Sequence, residues 1–168
     1  SHLNKHNYLA HYAMKANAEK RIMDEIREAG FGVDCVSGNE VMLAIKYGFS
    51  PDKIVYAGVG KSDKEIKAAL KAGIYAFNCE SIPEIAVIGE LAKSMGKVAH
   101  ISIRVNPDID AHTHKYISTG KKEDKFGISP WMFEDVLNLI QTSDHLELIG
   151  LHFHIGSQIT ELGVFKTL

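Results

Sequence analysis

The sequence predicts an α/β fold in which parallel strands are covered by helices. Apolar strand-like runs alternate with helical runs at a spacing of very roughly 25 residues, and six such units fit into the 168 residues. The even spacing, and the absence of a GxGxxG motif after the first strand, favour a (β/α)8 TIM-type barrel over an open doubly wound sheet. A complete barrel has eight units in about 250 residues, so about six of the eight are present.

The elements follow from hydrophobic patterning and from capping signals at the helix ends. The predicted strands are 7–14, 31–36, 53–57, 74–77, 98–105 and 146–153. The predicted N-caps are Asn17, Ser37, Ser62 and Ser81, and Glu65 and Glu84 stand at capping-box positions behind the last two. The predicted helices are 18–29, 37–47, 62–72, 81–96 and 129–140, and a sixth begins after Thr160. The four ranges that start at a serine include that residue.

Composition narrows the classes of function. The chain is 45% hydrophobic and 24% charged, and its formal net charge of −2 provides no basic surface for nucleic acid or for a membrane. No apolar run approaches the roughly 20 residues that a membrane span needs. Cys35 and Cys79 are far apart and lack CxxC spacing, which argues against a disulfide framework or a structural zinc site. We therefore expect a cytoplasmic protein whose partners are small molecules or copies of itself.

Polar side chains recur where the predicted strands end. Because the carboxyl ends of parallel strands share one rim, these residues are expected to lie together, as they do in barrel enzymes. A polar segment of more than 20 residues, 106–128, leaves the same rim after the fifth strand, and loops of that length are usually functional or disordered. The strand-end residues are Lys15, Asp34, Ser37, Asn78, Glu80, Arg104, Asn106 and His154 to Ser157.

Residue chemistry leaves three classes of function open. Lys15 lies in a strand-to-helix turn, and a lysine that faces an apolar pocket is suited to Schiff-base chemistry because desolvation disfavours its ammonium form. His152 and His154 share one strand face, which is the pattern of a metal-dependent barrel hydrolase, although two ligands fall short of a zinc site. Gly156 and Ser157 suit an anion such as phosphate. A binding module that carries a cofactor without turnover is the third class.

Five segments resemble the fold-type III, alanine-racemase-like pyridoxal-phosphate decarboxylases. They occur in the family order along nearly the whole chain. Within the class, the His-Thr-His-Lys-Tyr-Ile-Ser-Thr-Gly loop at 112–120, followed by Lys-Phe-Gly, is similar to the diaminopimelate decarboxylases. Alanine racemases usually have a Tyr-Gly-His-Gly segment that is absent here, and ornithine and arginine decarboxylases typically lack the Ile-Ser-Thr-Gly loop. The five segments are 12–17, 31–40, 104–107, 125–127 and 154–158.

The resemblance implies a role for each matching residue. Lys15 would bind pyridoxal 5'-phosphate covalently, His154 would stack on its ring, and Ser157, beside Gly156, would hydrogen-bond its phosphate. Asp34, Glu40 and Arg104 would orient the cofactor, and no metal is implied. The implied reaction is decarboxylation of meso-2,6-diaminopimelate to L-lysine, the last step of lysine biosynthesis. Another fold-type III decarboxylase or racemase is the alternative.

The resemblance also implies how residues 1–168 relate to the family. They correspond to the cofactor-binding barrel, whereas the family's glycine-rich phosphate loop, its Glu-Pro-Gly-Arg segment and its C-terminal β-domain with a catalytic cysteine would lie beyond Leu168. Neither Cys35 nor Cys79 matches that cysteine. We therefore expect this chain by itself to be inactive and the full-length protein to be a homodimer.

Overall fold

The computed structural model describes residues 8–106, 126–154, 156, 163 and 166. Within them, six strands alternate with five α-helices. The strands are β1 His11–Ala13, β2 Gly32–Cys35, β3 Ile54–Tyr56, β4 Ala76–Cys79, β5 Ala99–Val105 and β6 Leu146–Phe153. The helices are α1 Lys20–Glu28, α2 Gly38–Lys46, α3 Asp63–Ala72, α4 Ile82–Ser94 and α5 Phe133–Gln141. Short 3-10 turns lie at Met14–Ala16, Pro51–Lys53 and Pro130–Met132.

The six strands form one parallel sheet in which spatial order follows chain order, from β1 to β6. A doubly wound sheet reverses its strand order at a switch point, and this sheet contains no reversal. The succession is therefore the one predicted for a barrel. Between β5 and β6 the register shifts at Ile101 and Ser102, after which Arg104 lies opposite His152.

The two faces of the sheet have different chemistry. Alternate strand residues such as Val33, Cys35 and Ile54 are fully buried in the apolar core with the helices. The intervening residues on the other face include Asp34 and Asn78, which line a concave cavity of about 410 Å³. The sheet thus separates a hydrophobic core from a cavity lined by both polar and apolar side chains, as a barrel wall does.

Three predicted caps are confirmed. The hydroxyl oxygens of Ser37 and Ser81 accept hydrogen bonds from the backbone N–H groups three residues later, at 3.2 and 3.4 Å. Ser62 and Glu65 form the predicted capping box. Each cap stabilises the start of a helix that follows a strand end, typically by about 1 kcal/mol.

The prediction that Asn17 caps the first helix is wrong. The 3-10 turn Met14–Ala16 occupies the residues directly after β1, so α1 begins later, at Lys20, with Glu19 as its N-cap. The Asn17 side-chain oxygen instead accepts from the backbone N–H of Glu19 at 2.9 Å. Asn17 therefore shapes the connection between the Lys15 turn and α1.

The fourth strand lies two residues later than predicted. Gly73 ends α3 with a left-handed backbone (φ 72°), and Tyr75 donates its backbone N–H to Pro51 and Ile54. These bonds hold residues 74 and 75 outside the strand, so Asn78 lies within β4 and not after it, contrary to our expectation.

The fifth helix begins with the predicted Ser-Pro signal, but its first turn, Pro130–Met132, is 3-10 and α5 proper starts at Phe133. The predicted sixth helix and most of the long loop after β5 lie outside the described residues. Over the described part of the chain, none of the helices combines the length and apolarity needed to cross a lipid bilayer.

Candidate active site

Lys15 lies two residues beyond β1, in the 3-10 turn, and its side chain is exposed. Ala13, the last residue of β1, is in register with Asp34 of β2. Lysine and carboxylate therefore belong to neighbouring strand ends, as predicted. The same edge of the sheet carries Glu80, Arg104 and His154.

Asp34 has unfilled hydrogen-bonding capacity. Its Oδ1 atom is buried and has no hydrogen-bond partner among the described residues. Partial burial raises the pKa of the Asp34 carboxyl above its ordinary value of 3.8, and the Lys15 ammonium opposes that rise. A buried polar atom without a partner is uncommon in proteins, so this oxygen is available to a ligand.

Glu40 folds back onto its own turn. Its carboxylate accepts a hydrogen bond from the backbone N–H of Val36 at 2.7 Å, while its own N–H donates to Ser37. Both residues therefore stiffen the connection between β2 and α2, directly after Asp34. Glu40 also contributes to the raised pKa of Asp34, which places its charge close to that carboxyl.

Glu80 and Arg104 form a buried ion pair on the rim. One guanidinium nitrogen of Arg104, on β5, donates to both carboxylate oxygens of Glu80, after β4, at 2.8 and 3.0 Å. The Arg104 guanidinium also lies 5.6 Å from the centre of the Phe126 ring. The pair fixes a positive charge at the carboxyl ends of two adjacent strands, as predicted for Arg104.

His154 follows β6 on the same rim. Partial burial lowers the pKa of its imidazole, and the positive charges of Arg104 and Lys15 lower that pKa further, opposed by Glu80. These mutual effects show that the strand-end groups of β1, β4, β5 and β6 share one electrostatic environment. A neutral imidazole beside two cations is suited to contact a flat, anionic ligand.

His152 lies deeper, on the cavity face of β6. Burial and the Arg104 charge lower its pKa to about 4, and its Nδ1 atom has no hydrogen-bond partner among the described residues. In the described ranges, no three His, Cys, Asp or Glu side chains come together in an arrangement that could hold a metal ion. Among the described residues, His152 and His154 therefore lack the further ligands that a zinc site needs.

Gly156 and Ser157 were also predicted to belong to the site, and the structure describes only the first of them. Gly156 is described and has a φ of 136°, a conformation that L side chains rarely adopt, so glycine is required at this point of the rim. Ser157 and Lys125 lie outside the described residues. The chain re-enters the described part at Phe126, and Ile128 then bridges Val105 at the end of β5.

Sequence reasoning missed Lys61. It follows β3 in the Gly-Val-Gly-Lys turn, and its side chain is only 1% exposed. Its ammonium forms an ion pair with Glu84 Oε1 at 2.5 Å. Glu84 Oε2 accepts the backbone N–H of Glu80, the residue before the cap, so the predicted capping box with Ser81 is not formed. The signal available was a lysine at a strand end directly before a capping serine, the same context that drew attention to Lys15.

The residues present fit a phosphorylated aldehyde cofactor. One rim carries an exposed lysine at a strand end, an unpartnered carboxylate oxygen on the neighbouring strand, a fixed guanidinium and a neutral imidazole. The Asp34 carboxylate also lines the cavity. Such a site offers an amine for covalent attachment and charged groups that orient a ring.

Comparisons with known proteins agree with this chemistry. A diaminopimelate decarboxylase of Bacteroides thetaiotaomicron is 51% identical over 162 residues, which cover 96% of this chain and 42% of that protein. One from Aquifex aeolicus is 44% identical over 155 residues, covering 92% of this chain and 37% of that protein. The chain thus spans about two fifths of the length of these curated relatives.

Solved structures show the same fold. Diaminopimelate decarboxylase of Helicobacter pylori, solved as a variant complexed with L-lysine, superposes with a TM-score of 0.90 at 43% identity, over 96% of this chain and 41% of that one. The arginine decarboxylase of Paramecium bursaria Chlorella virus, 21% identical, shares the fold with a TM-score of 0.73. The predicted fold-type III barrel class is confirmed.

The sequence model described as pyridoxal-dependent decarboxylase, pyridoxal binding domain, matches residues 2–168. The chain therefore belongs to the pyridoxal-dependent decarboxylases.

Proposed function

We propose that the protein, in its full natural length, decarboxylates meso-2,6-diaminopimelate to L-lysine with pyridoxal 5'-phosphate bound at the rim described above. The observation that carries the proposal is the unpartnered Asp34 Oδ1 beside the exposed Lys15, in a chain whose curated relatives at 44–51% identity are diaminopimelate decarboxylases. Pyridoxal phosphate, when bound, supplies the electron sink that makes loss of the carboxylate feasible.

Lys15 is the proposed attachment point of the cofactor. The Tyr12 hydroxyl donates to the backbone oxygen of Asn17 at 3.3 Å and so bridges the Lys15 turn, which directly follows β1. Asp34 lies on the neighbouring strand β2, and the Lys15 charge acts on its pKa. Together they would bind and orient the cofactor ring.

His154 and Arg104 are proposed to contact the ring and its substituents. The lowered pKa keeps His154 neutral at pH 7, which favours stacking against an aromatic ring over pairing with an anion. Arg104 keeps its charge, and Glu80 fixes its direction. Gly156 and Ser157 are proposed to bind the phosphate, and Glu40 to stiffen the turn behind Asp34.

Covalent labelling tests the assignment of Lys15. The full-length protein is incubated with pyridoxal phosphate, reduced with borohydride and digested, and the modified peptide is identified by mass spectrometry. We expect the label on Lys15, none in Lys15→Ala, and normal labelling in Lys64→Ala, which removes an exposed lysine of α3. A label on another lysine in the parent protein would overturn the assignment.

Substrate specificity is tested by release of CO2 from meso-diaminopimelate, ornithine and arginine. We expect turnover of diaminopimelate alone, with L-lysine as product. Turnover of ornithine or arginine in its place would retain the cofactor chemistry and overturn the proposed substrate. The 168-residue chain alone covers about two fifths of its relatives, and we expect it to be inactive with added cofactor.

We further propose that the full-length protein is a cytoplasmic homodimer. The two cysteines, Cys35 and Cys79, are buried and free, and burial raises the pKa of the Cys35 thiol to about 12, so neither thiol needs an oxidising compartment. Light scattering after gel filtration and cell fractionation test the two statements, and a monomeric mass or a secreted protein would contradict them.

A further inference from the structure

Lys61 is a buried cation whose hydrogen-bonding capacity is fully used. Its Nζ atom donates to the backbone oxygens of Gly58 at 2.7 Å and Asn78 at 2.9 Å, and to Glu84 Oε1 at 2.5 Å. It also lies 5.3 Å from the centre of the Tyr56 ring. An ammonium group has three donors, and all three are occupied, so Lys61 is not a second reactive amine.

Glu84 connects Lys61 to the end of β4. Its second oxygen, Oε2, accepts the backbone N–H of Glu80 at 2.7 Å. The Glu80 carboxylate in turn holds Arg104. Lys61, Glu84, Glu80 and Arg104 therefore form a continuous chain of contacts across the carboxyl ends of β3, β4 and β5, which we call the rim network.

A gain in stability is a poor explanation for the Lys61–Glu84 ion pair, which we call the inner pair of the rim network. Taking two charges out of water is costly, and replacing a buried ion pair by apolar residues of similar size is often neutral or stabilising. The pair does fix geometry, because Lys61 and the Glu80 N–H bind the two oxygens of the same Glu84 carboxylate. A displacement of about 1 Å in a positioning group can cost roughly a hundredfold in rate.

We propose that Lys61 and Glu84 are positioning residues that hold Arg104, through Glu80, in the direction required by the bound cofactor and substrate. The inference rests on the proposed function only for the identity of the ligand. It does not rest on it for the geometry, because the Glu80–Arg104 pair is a feature of the structure itself. Neither residue touches the reacting atoms.

The test removes the inner pair without leaving a single buried charge. In the full-length protein, Lys61→Met and Glu84→Leu are combined, with Lys64→Met combined with Glu90→Leu as the control. The control makes the same substitutions at exposed positions of α3, which follows Lys61, and of α4, which contains Glu84. We expect the test variant to fold with a lowered urea midpoint, because the backbone groups of Gly58, Asn78 and Glu80 lose their partners. Its dissociation constant for pyridoxal phosphate should rise about tenfold through the lost positioning hydrogen bond. The control should bind like the parent.

Two readouts separate positioning from a general structural effect. In an Arg104→Ala background, the same double replacement should change the dissociation constant less than twofold, because the network then has nothing to position. In the cofactor-free protein, the Arg104 guanidinium 15N signals, assigned with Arg104→Lys, should show one held orientation in the parent and averaging in the test variant.

The outcomes are distinct. Unchanged cofactor affinity in the folded double variant, or an additive effect in the Arg104→Ala background, overturns the proposal. A parent protein that binds no cofactor at Lys15 overturns the proposed function, and the guanidinium signals then decide the positioning role. If the double variant does not fold, the isosteric Glu84→Gln replaces it. Its amide oxygen stays on Lys61 and its NH2 faces the Glu80 N–H, so the same loss of affinity is expected, and unchanged affinity refutes the role.

Discussion

Replacing Glu80 by alanine tests how strongly the rim depends on its buried ion pair. The Glu80 and Arg104 side chains are only 6% and 13% exposed, so Glu80→Ala leaves a guanidinium largely out of water with no counter-ion. Breaking a buried pair by removing one partner costs about 3–5 kcal/mol. We expect a loss of about 3 kcal/mol in the free energy of unfolding, at the lower end of that range. The reason is that Arg104 keeps some exposure and its contact with Phe126.

Glu147→Ala is the matched control. Glu147 on β6 lies 3.3 Å from His100 on β5, so it also joins neighbouring strands, but these side chains are 61% and 46% exposed. Exposed pairs contribute about 0–1 kcal/mol. Urea unfolding of the full-length protein, followed by far-ultraviolet circular dichroism, gives both free energies. Equal losses in the two variants would refute the reasoning that burial makes the Glu80 pair costly to break.

Three further predictions concern other parts of the sheet and its helices. Gly32→Ala would place a Cβ atom 2.4 Å from the backbone oxygen of Lys53, so we expect a loss of about 1–3 kcal/mol in unfolding free energy, and little change for Gly60→Ala, which has nothing within 4 Å. Glu65→Ala removes acceptors from Ser62 and Gly38, and calorimetry should show a loss of about 1–2 kcal/mol. His152 has a pKa of about 4 when folded and 6.5 as the ordinary value. The unfolded chain therefore binds more protons, stability falls as pH drops from 6.5 to 4, and urea midpoints of His152→Gln should fall less over that window.

The fold was largely predictable because its signals are local. Alternation of apolar strands with capped helices predicted all six strands of the described sheet, and β6 occupies the predicted residues 146–153. The errors arose where tertiary hydrogen bonds override local pattern. Residues 74 and 75 are apolar and look strand-like, but they are tied to the end of α3 and to Pro51, which moves β4 to Ala76–Cys79.

The sequence predicted which residues belong to the candidate site, but not which of them contact each other. Strand ends locate Lys15, Asp34, Arg104 and His154 on one rim because parallel strands share a direction. No sequence pattern indicates which of these groups pair with each other. The pairing of Arg104 with Glu80 depends on how β4 and β5 align.

The sequence by itself determined the succession of elements, the rim on which polar groups gather and the family resemblance, because each depends on residues close together in the chain. Only the tertiary structure decided that Lys15 stays exposed while Lys61 is buried. Both lysines follow a strand, but burial is set by distant atoms. The Asn78 carbonyl and the Glu84 carboxylate accept hydrogen bonds from the Lys61 ammonium. Among the described residues, the structure supplies no corresponding set of acceptors around the Lys15 ammonium.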